Sequence, residues 1–235
     1  MKYLRILGSG DLVKLAEYYG TDKQGSHFYA PHYQLHFQKF RFKKINLLEI
    51  GAGGEENPLE GGCSLRMWKN YFPFANIFSI DIFDKSLIQE PRIKIFKGNQ
   101  ADEGFLDKVV KEIGEIDIII DDGSHLNDHV IRTFTHLFQY LKDGGIYVIE
   151  DTQTSYWPDF GGQSQDLVNS LTSMNFLKSL TDSLNHKEII QPGYQPNYFD
   201  RKITSIHFYH NLVFVYKGDN SEESTRLVNN QRYYY

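Results

Sequence analysis

Ile116-Asp-Ile-Ile-Ile120 packs four isoleucines into five residues and is cut off by Asp121-Asp-Gly-Ser-His125. Successive residues of a strand face opposite ways, so a run this apolar reads as a strand covered on both sides and stopped at a turn. Such a strand belongs inside an α/β sheet, whose ligands sit outside the carboxyl ends of its strands. Two carboxylates and an imidazole at that end make a candidate reaction centre. Gly145-Ile-Tyr-Val-Ile149, followed by Glu150-Asp151, repeats the pattern. If the two strands are neighbours, their acids and the His converge on one rim. The alternative is that strand-end aspartates cap helices and turns; two paired-acid ends in one chain weigh against it.

Strand and helix patterns alternate along the rest of the chain. Leu12, Leu15, Ala16 and Tyr19 have helical spacing, with Asp11 as a cap and Gly20 as the stop. Thr21-Asp-Lys23 reads as a polar loop. Strands are expected at 45–50, 76–81, 92–96, 116–120 and 145–149. Helices are expected at 64–72, 102–113, 126–141 and 166–184, with turns at 143–145 and loops at 157–162 and 194–200. Segments 203–209 and 212–216 are two residues apart and read as an antiparallel hairpin. Alternation argues a parallel sheet with helices on both faces, and the hairpin makes one strand antiparallel. The expected fold is therefore α/β: a Rossmann-like seven-stranded sheet with an antiparallel C-terminal hairpin strand. Residues 219–235 lose periodicity and read as a flexible tail.

The length of 235 residues suits one large α/β domain, and 40% hydrophobic content supplies its core. A net charge of -5 gives no footprint for nucleic acid or an anionic membrane. The single cysteine, Cys63, excludes an intramolecular disulfide and a multi-cysteine zinc site. No apolar run reads as a signal peptide or a bilayer span, so a cytoplasmic protein is expected. His27, His32 and His36 lack an HExxH pattern and a neighbouring carboxylate. They read as packing, or as one wall of a substrate pocket, before zinc.

Glu49-Ile-Gly51-Ala-Gly53-Gly54 lies between the first strand and the helix at 64–72. Glycines there let a ligand approach the backbone. The spacing is not G-x-G-x-x-G, and Glu55 and Glu56 beside it disfavour a pyrophosphate while tolerating a cationic ligand. Asp81 ends the second strand, where an acid can accept both hydroxyls of a ribose. Gly98-Asn99-Gln100 ends the third, where an adenine edge can be met.

These residues resemble class I S-adenosylmethionine-dependent methyltransferases. A more specific resemblance runs over about residues 12–218. Leu47 to Gly54, Gly62-Cys-Ser-Leu-Arg-Met-Trp68, Asp121 to His125, Glu150-Asp-Thr-Gln-Thr-Ser-Tyr-Trp157 and Ile206-His-Phe-Tyr-His-Asn-Leu212 look like the catalytic domain of the macrolide sugar O-methyltransferases. Gly20-Thr-Asp-Lys23 and the stretch from Tyr29 to Phe37 are similar too. The resemblance implies a methyltransferase domain over 1–218, with a helical cap over about 1–44. It implies an S-adenosylmethionine site built by Glu49, Gly51, Gly53, Ser64, Asp81, Asn99, Gln100 and Asp121. It further implies a magnesium ion on Asp122, Glu150 and Asp151, and His125 as the base that takes the sugar hydroxyl's proton.

Carboxylates without thiolates suit a hard cation such as magnesium, in agreement with that assignment. The expected partner is a small-molecule glycoside, with no nucleic acid or membrane, and the expected assembly is a homo-oligomer. The macrolide enzymes carry an extra N-terminal domain that helps shape the acceptor site, and here only a few residues precede the first helix; the acceptor is left open. Phe28, Tyr29, Tyr33 and Trp157 either stack on sugar faces or pack in the core. Two other readings share the fold: an oxidative tailoring protein similar to the cephalosporin hydroxylases, and a non-catalytic adenosyl-binding scaffold. No evident 2-His-1-carboxylate set supports the first. The retained acids and His125 argue against the second.

Overall fold

The computed structural model describes residues 10–168, 171–228 and 231–232. The chain divides into two compact units, Met1–Ser124 and His125–Tyr235.

The first unit holds four parallel strands: β1 (Asn46–Ile50), β2 (Asn76–Asp81), β3 (Ile93–Lys97) and β4 (Ile116–Asp121), in the order β3-β2-β1-β4. The register sets Leu47 against both Ile77 and Ile118, and Ile50 against Asp121. Ile118, Ile119 and Ile120 are all fully buried, as are Leu47, Leu48 and Ile77. Consecutive buried residues mean that both faces of β4 are covered, as the isoleucine run predicts. Each such side chain contributes about 1.5–3 kcal/mol by leaving water.

Among the described residues, four helices accompany these strands: α1 (Leu12–Tyr19), α2 (Ala30–Phe37), α3 (Cys63–Tyr71) and α4 (Glu103–Ile113). Asp11 caps α1 through Lys14 N, and Gly20 closes it in the left-handed conformation. Asp102 caps α4 through Phe105 N. Tyr29 and Tyr33 are buried, and Tyr33 packs 4.9 Å from the Trp68 ring, so core packing is the outcome for both. Phe28 and Trp157 stay exposed. His36 is buried and His27 stacks on Tyr29, so packing is also where these two histidines lie.

The second unit contains α5 (Asn127–Leu137), β5 (Leu141–Ile149), α6 (Ser173–Leu184), α7 (Tyr198–Lys202), β6 (Ile203–Tyr209) and β7 (Leu212–Lys217). Its strands are antiparallel in the order β5-β7-β6, with His210 and Asn211 as the hairpin turn. The two units thus supply the seven expected strands, and β7 is the one that runs against both of its neighbours, β5 and β6.

Several boundaries differ from expectation. Helix α5 ends at Leu137 in a short 3₁₀ turn, Phe138–Tyr140, and β5 already starts at Leu141, so the turn expected at 143–145 lies within the strand. Leu141 is buried and Lys202 Nζ holds Asp143 Oδ2 at 3.0 Å, which keeps that stretch in place. Helix α6 starts at Ser173 rather than 166. Thr172 caps it through Asn175 N, and Asn127 Oδ1 accepts Ser173 N at 2.6 Å. The loop expected at 194–200 contains the start of α7, nucleated by an Asn197–Asp200 capping box. Past Lys217, Asn220 donates to Ser183 O and Asp200 O, Ser224 donates to Glu188, and Leu227–Val228 pairs with Gln231–Arg232. Among the described residues, no helix is long and apolar enough to cross a membrane.

Candidate active site

The first unit gathers its candidate residues at the carboxyl ends of its strands. Gly51 N donates to Ile80 O and Asp122 N donates to Ile50 O, which draws the ends of β1, β2 and β4 together. Gly51 has φ 93, and a Cβ there would meet Asp122 O at 2.1 Å. Only glycine permits that approach. Gly53 and Gly54 continue the turn with positive φ.

Asp81 is oriented by two backbone donors: Ala52 N to Oδ2 at 2.9 Å and Phe83 N to Oδ1 at 2.8 Å. A carboxylate offers about four acceptor positions, so Asp81 keeps capacity for two hydroxyls. Asn99 is exposed, and its Oδ1 accepts Ala101 N. Gln100 is buried and both ends of its amide are engaged: Nε2 donates to Asp121 Oδ1 at 3.1 Å, and Oε1 accepts Ser124 N at 2.7 Å. In this structure Gln100 therefore fixes Asp121 and the turn after β4.

Glu49 lies beneath the glycine turn with no exposed surface. Its Oε2 accepts Ser64 Oγ at 2.9 Å and Trp68 Nε1 at 3.1 Å. Its Oε1 is ion-paired with Lys23 Nζ at 3.2 Å but has no aligned hydrogen bond among the described residues. Burial pushes the Glu49 carboxyl above the ordinary carboxylate value; the Lys23 charge opposes this, the Asp122 charge adds to it, and the Ser64 and Trp68 donors oppose it. Lys23 also reaches Asp122 Oδ2 at 2.6 Å. The sequence shows Lys23 only as part of a polar loop, because neither periodicity nor spacing marks a lysine that folds inward.

The second unit carries His125, Glu150 and Asp151. His125 Nε2 lies 3.6 Å from Asp151 Oδ2. Both residues sit in the left-handed region, with φ 56 for His125 and φ 51 for Asp151. Non-glycine residues adopt it rarely and at a cost, and such residues cluster at functional sites. Helix capping does not account for them. The α5 cap position is Leu126, without a side-chain bond. Asp151 occupies the cap position of the 3₁₀ turn Thr152–Tyr156, but its side chain makes no cap bond. Its carbonyl instead accepts Thr154 N and Thr154 Oγ1. Thr152 N donates to Asn211 O in the hairpin turn, which ties the acid-bearing turn to the hairpin between β6 and β7. Glu150 is buried.

Asn127 is a residue that sequence reasoning missed. It is buried, and its Nδ2 donates to Thr154 O and Phe160 O while its Oδ1 accepts Ser173 N. One amide thereby fixes the start of α5, the turns after Asp151 and the start of α6. A lone Asn at a helix start carries no signal of that role.

No protein-family model matches the chain. It is 48% identical over 214 residues to the mycinamicin VI 2''-O-methyltransferase of Micromonospora griseorubida, which covers 90% of this chain and 54% of that protein. It is likewise 48% identical over 214 residues to the demethylmacrocin O-methyltransferase of Streptomyces fradiae, with the same coverage of 90% and 54%. Among solved structures it is similar to the MycE methyltransferase of the mycinamycin pathway, in complex with Mg and SAH. That match has a TM-score of 0.89 and 47% identity, covering 92% of this chain and 56% of the other. The chain spans about half the length of the curated relatives it matches. The Rossmann-like seven-stranded class with an antiparallel C-terminal hairpin strand is the fold of this chain. By sequence and by fold, the chain is a homologue of the macrolide sugar O-methyltransferases over about half their length.

Proposed function

We propose that this chain acts as an S-adenosylmethionine-dependent, magnesium-dependent O-methyltransferase on a sugar hydroxyl of a glycoside or glycosylated natural product. The observation that carries the reading is the His125–Asp151 pair, both in strained backbone conformations and neither explained as a helix cap. The relatives' names, which describe sugar O-methylations, and the Mg and SAH of the MycE complex support it.

The methyl-donor site is assigned to Gly51, Gly53, Asp81 and Asn99 at its surface, with Glu49, Ser64, Gln100 and Asp121 behind them. Asp81, already aimed by Ala52 N and Phe83 N, suits a ribose diol. The acidic turn suits a ligand with positive charge. When bound, S-adenosylmethionine supplies a methyl group on a sulfonium, which is itself a good leaving group; the chain's task is to hold donor and acceptor in line. Asp81→Ala is expected to weaken S-adenosylhomocysteine binding about tenfold or more, since a hydrogen bond to a charged group contributes roughly 1.5–3 kcal/mol. Unchanged affinity by calorimetry would remove Asp81 from the site.

The donor set of Asp122, Glu150 and Asp151 is all oxygen and fits magnesium. These three side chains would hold the ion, which when bound would make the acceptor hydroxyl more acidic. His125, whose Nε2 lies 3.6 Å from Asp151 Oδ2, accepts the proton that the hydroxyl releases. The chain is read as a cytoplasmic homo-oligomer whose partners are small-molecule glycosides; its net charge of -5 weighs against nucleic acid and an anionic membrane as partners.

The test is mass spectrometry of candidate glycosides incubated with the protein, S-adenosylmethionine and magnesium. One added methyl per acceptor is expected, with activity lost in chelator and restored by magnesium. Full turnover in excess chelator would sink the metal assignment and leave the three acids as structural groups.

A further inference from the structure

Lys23 belongs to none of the roles assigned above, yet it is fully buried. Long lysine side chains ordinarily keep the ammonium in water. Here Nζ lies 2.6 Å from Asp122 Oδ2 and 3.2 Å from Glu49 Oε1. The loop that delivers it is anchored, since Lys23 O accepts both Tyr29 N and Ala30 N at the start of α2. Glu49 is held from its other side by Ser64 and Trp68. The ammonium is therefore a fixed charge on Asp122.

We propose that Lys23 is a resident counter-charge on Asp122, which makes a divalent cation share that carboxylate with an ammonium and so keeps the ion weakly bound and exchangeable. The proposal rests on the cation reading of Asp122 given above. Its physical basis is direct. A fixed unit charge a few ångströms from a dication repels it strongly at protein-like dielectric, and the 2.6 Å contact uses acceptor capacity of Asp122.

The experiment is a calorimetric titration of Mg²⁺ into the full chain without methyl donor or acceptor. Removing Lys23 alone would leave Glu49 buried without its counter-charge, which is strongly destabilising. The main variant is therefore the double substitution Lys23→Met with Glu49→Gln, and melting curves verify that it folds. Lys23→Gln with Glu49→Gln, which keeps a donor toward Asp122 without either buried charge, gives a second route if the first double variant does not fold. Both neutral variants are expected to bind Mg²⁺ about tenfold or more tightly than the unaltered chain, while Lys23→Arg stays near it. Unchanged, weaker or undetectable binding in the folded neutral variants overturns the proposal and leaves Lys23 as a structural ion pair. Adding Asp122→Asn to the neutral variants should abolish the gain. If tight binding survives that change, the cation reading of Asp122 fails instead.

Discussion

His125→Ala is expected to lower methyl-transfer turnover by roughly 10²–10⁴-fold, the usual contribution of a positioned general base, with S-adenosylhomocysteine affinity nearly unchanged. The residue stands at the start of the second unit, two positions before the first residue of α5, Asn127. Its Nε2 lies 3.6 Å from Asp151 Oδ2, too long for a hydrogen bond. If His125 only supported the helix start, its removal would lower the melting temperature and leave turnover per folded molecule intact. Measuring both quantities on the same preparation separates the two roles. A variant that melts early and turns over normally refutes the base assignment, while the methyltransferase reading survives it. His125→Ala also removes a bulky residue from φ 56, where alanine is no better tolerated, so little relief of backbone strain is expected to mask the result.

Gly51→Ala is expected to be severely destabilising, on the order of 4 kcal/mol or more. Two penalties combine. The backbone sits at φ 93, and the added methyl would lie 2.1 Å from Asp122 O and 3.0 Å from Asp122 C, which are backbone atoms and cannot rotate away. Relief requires parting the ends of β1 and β4, where Asp122 N bonds Ile50 O. Gly53→Ala is the matched control. Its φ is 71, but the nearest atom to an added methyl there would be Gly61 Cα at 4.0 Å, so only the left-handed penalty of roughly 1–2 kcal/mol applies. Chemical denaturation of the two variants should rank them in that order. Equal losses would show that conformation, not the clash with Asp122, is what requires glycine at 51.

The isoleucine run by itself settles β4 and its burial on both faces, because a strand with no polar face has no stable place outside a covered sheet. The alternation of elements and the two-residue spacing of the last strands likewise determine a mostly parallel order closed by an antiparallel hairpin, in which β7 runs against both β5 and β6. The Asp11 cap, which has a local side-chain signal, is legible for the same reason: its chemistry is complete within four residues. Positions whose reasons lie far along the chain are not. Helix α6 starts at Ser173 because Thr172 caps it and Asn127, distant in sequence, accepts the Ser173 amide; nothing in the periodicity of 166–184 carries that. Tyr29 and Tyr33 read equally as sugar platforms or as core in sequence and are core in the structure, since exposure depends on what packs above a side chain. Lys23 is the sharpest case. Its residue type predicts solvent, and only the tertiary fold, which sets Glu49 and Asp122 beside it, turns it inward. Local pattern determines which elements form and where polar groups cluster; the partner of a buried charge is decided by residues brought together across the chain, 99 positions apart for Lys23 and Asp122.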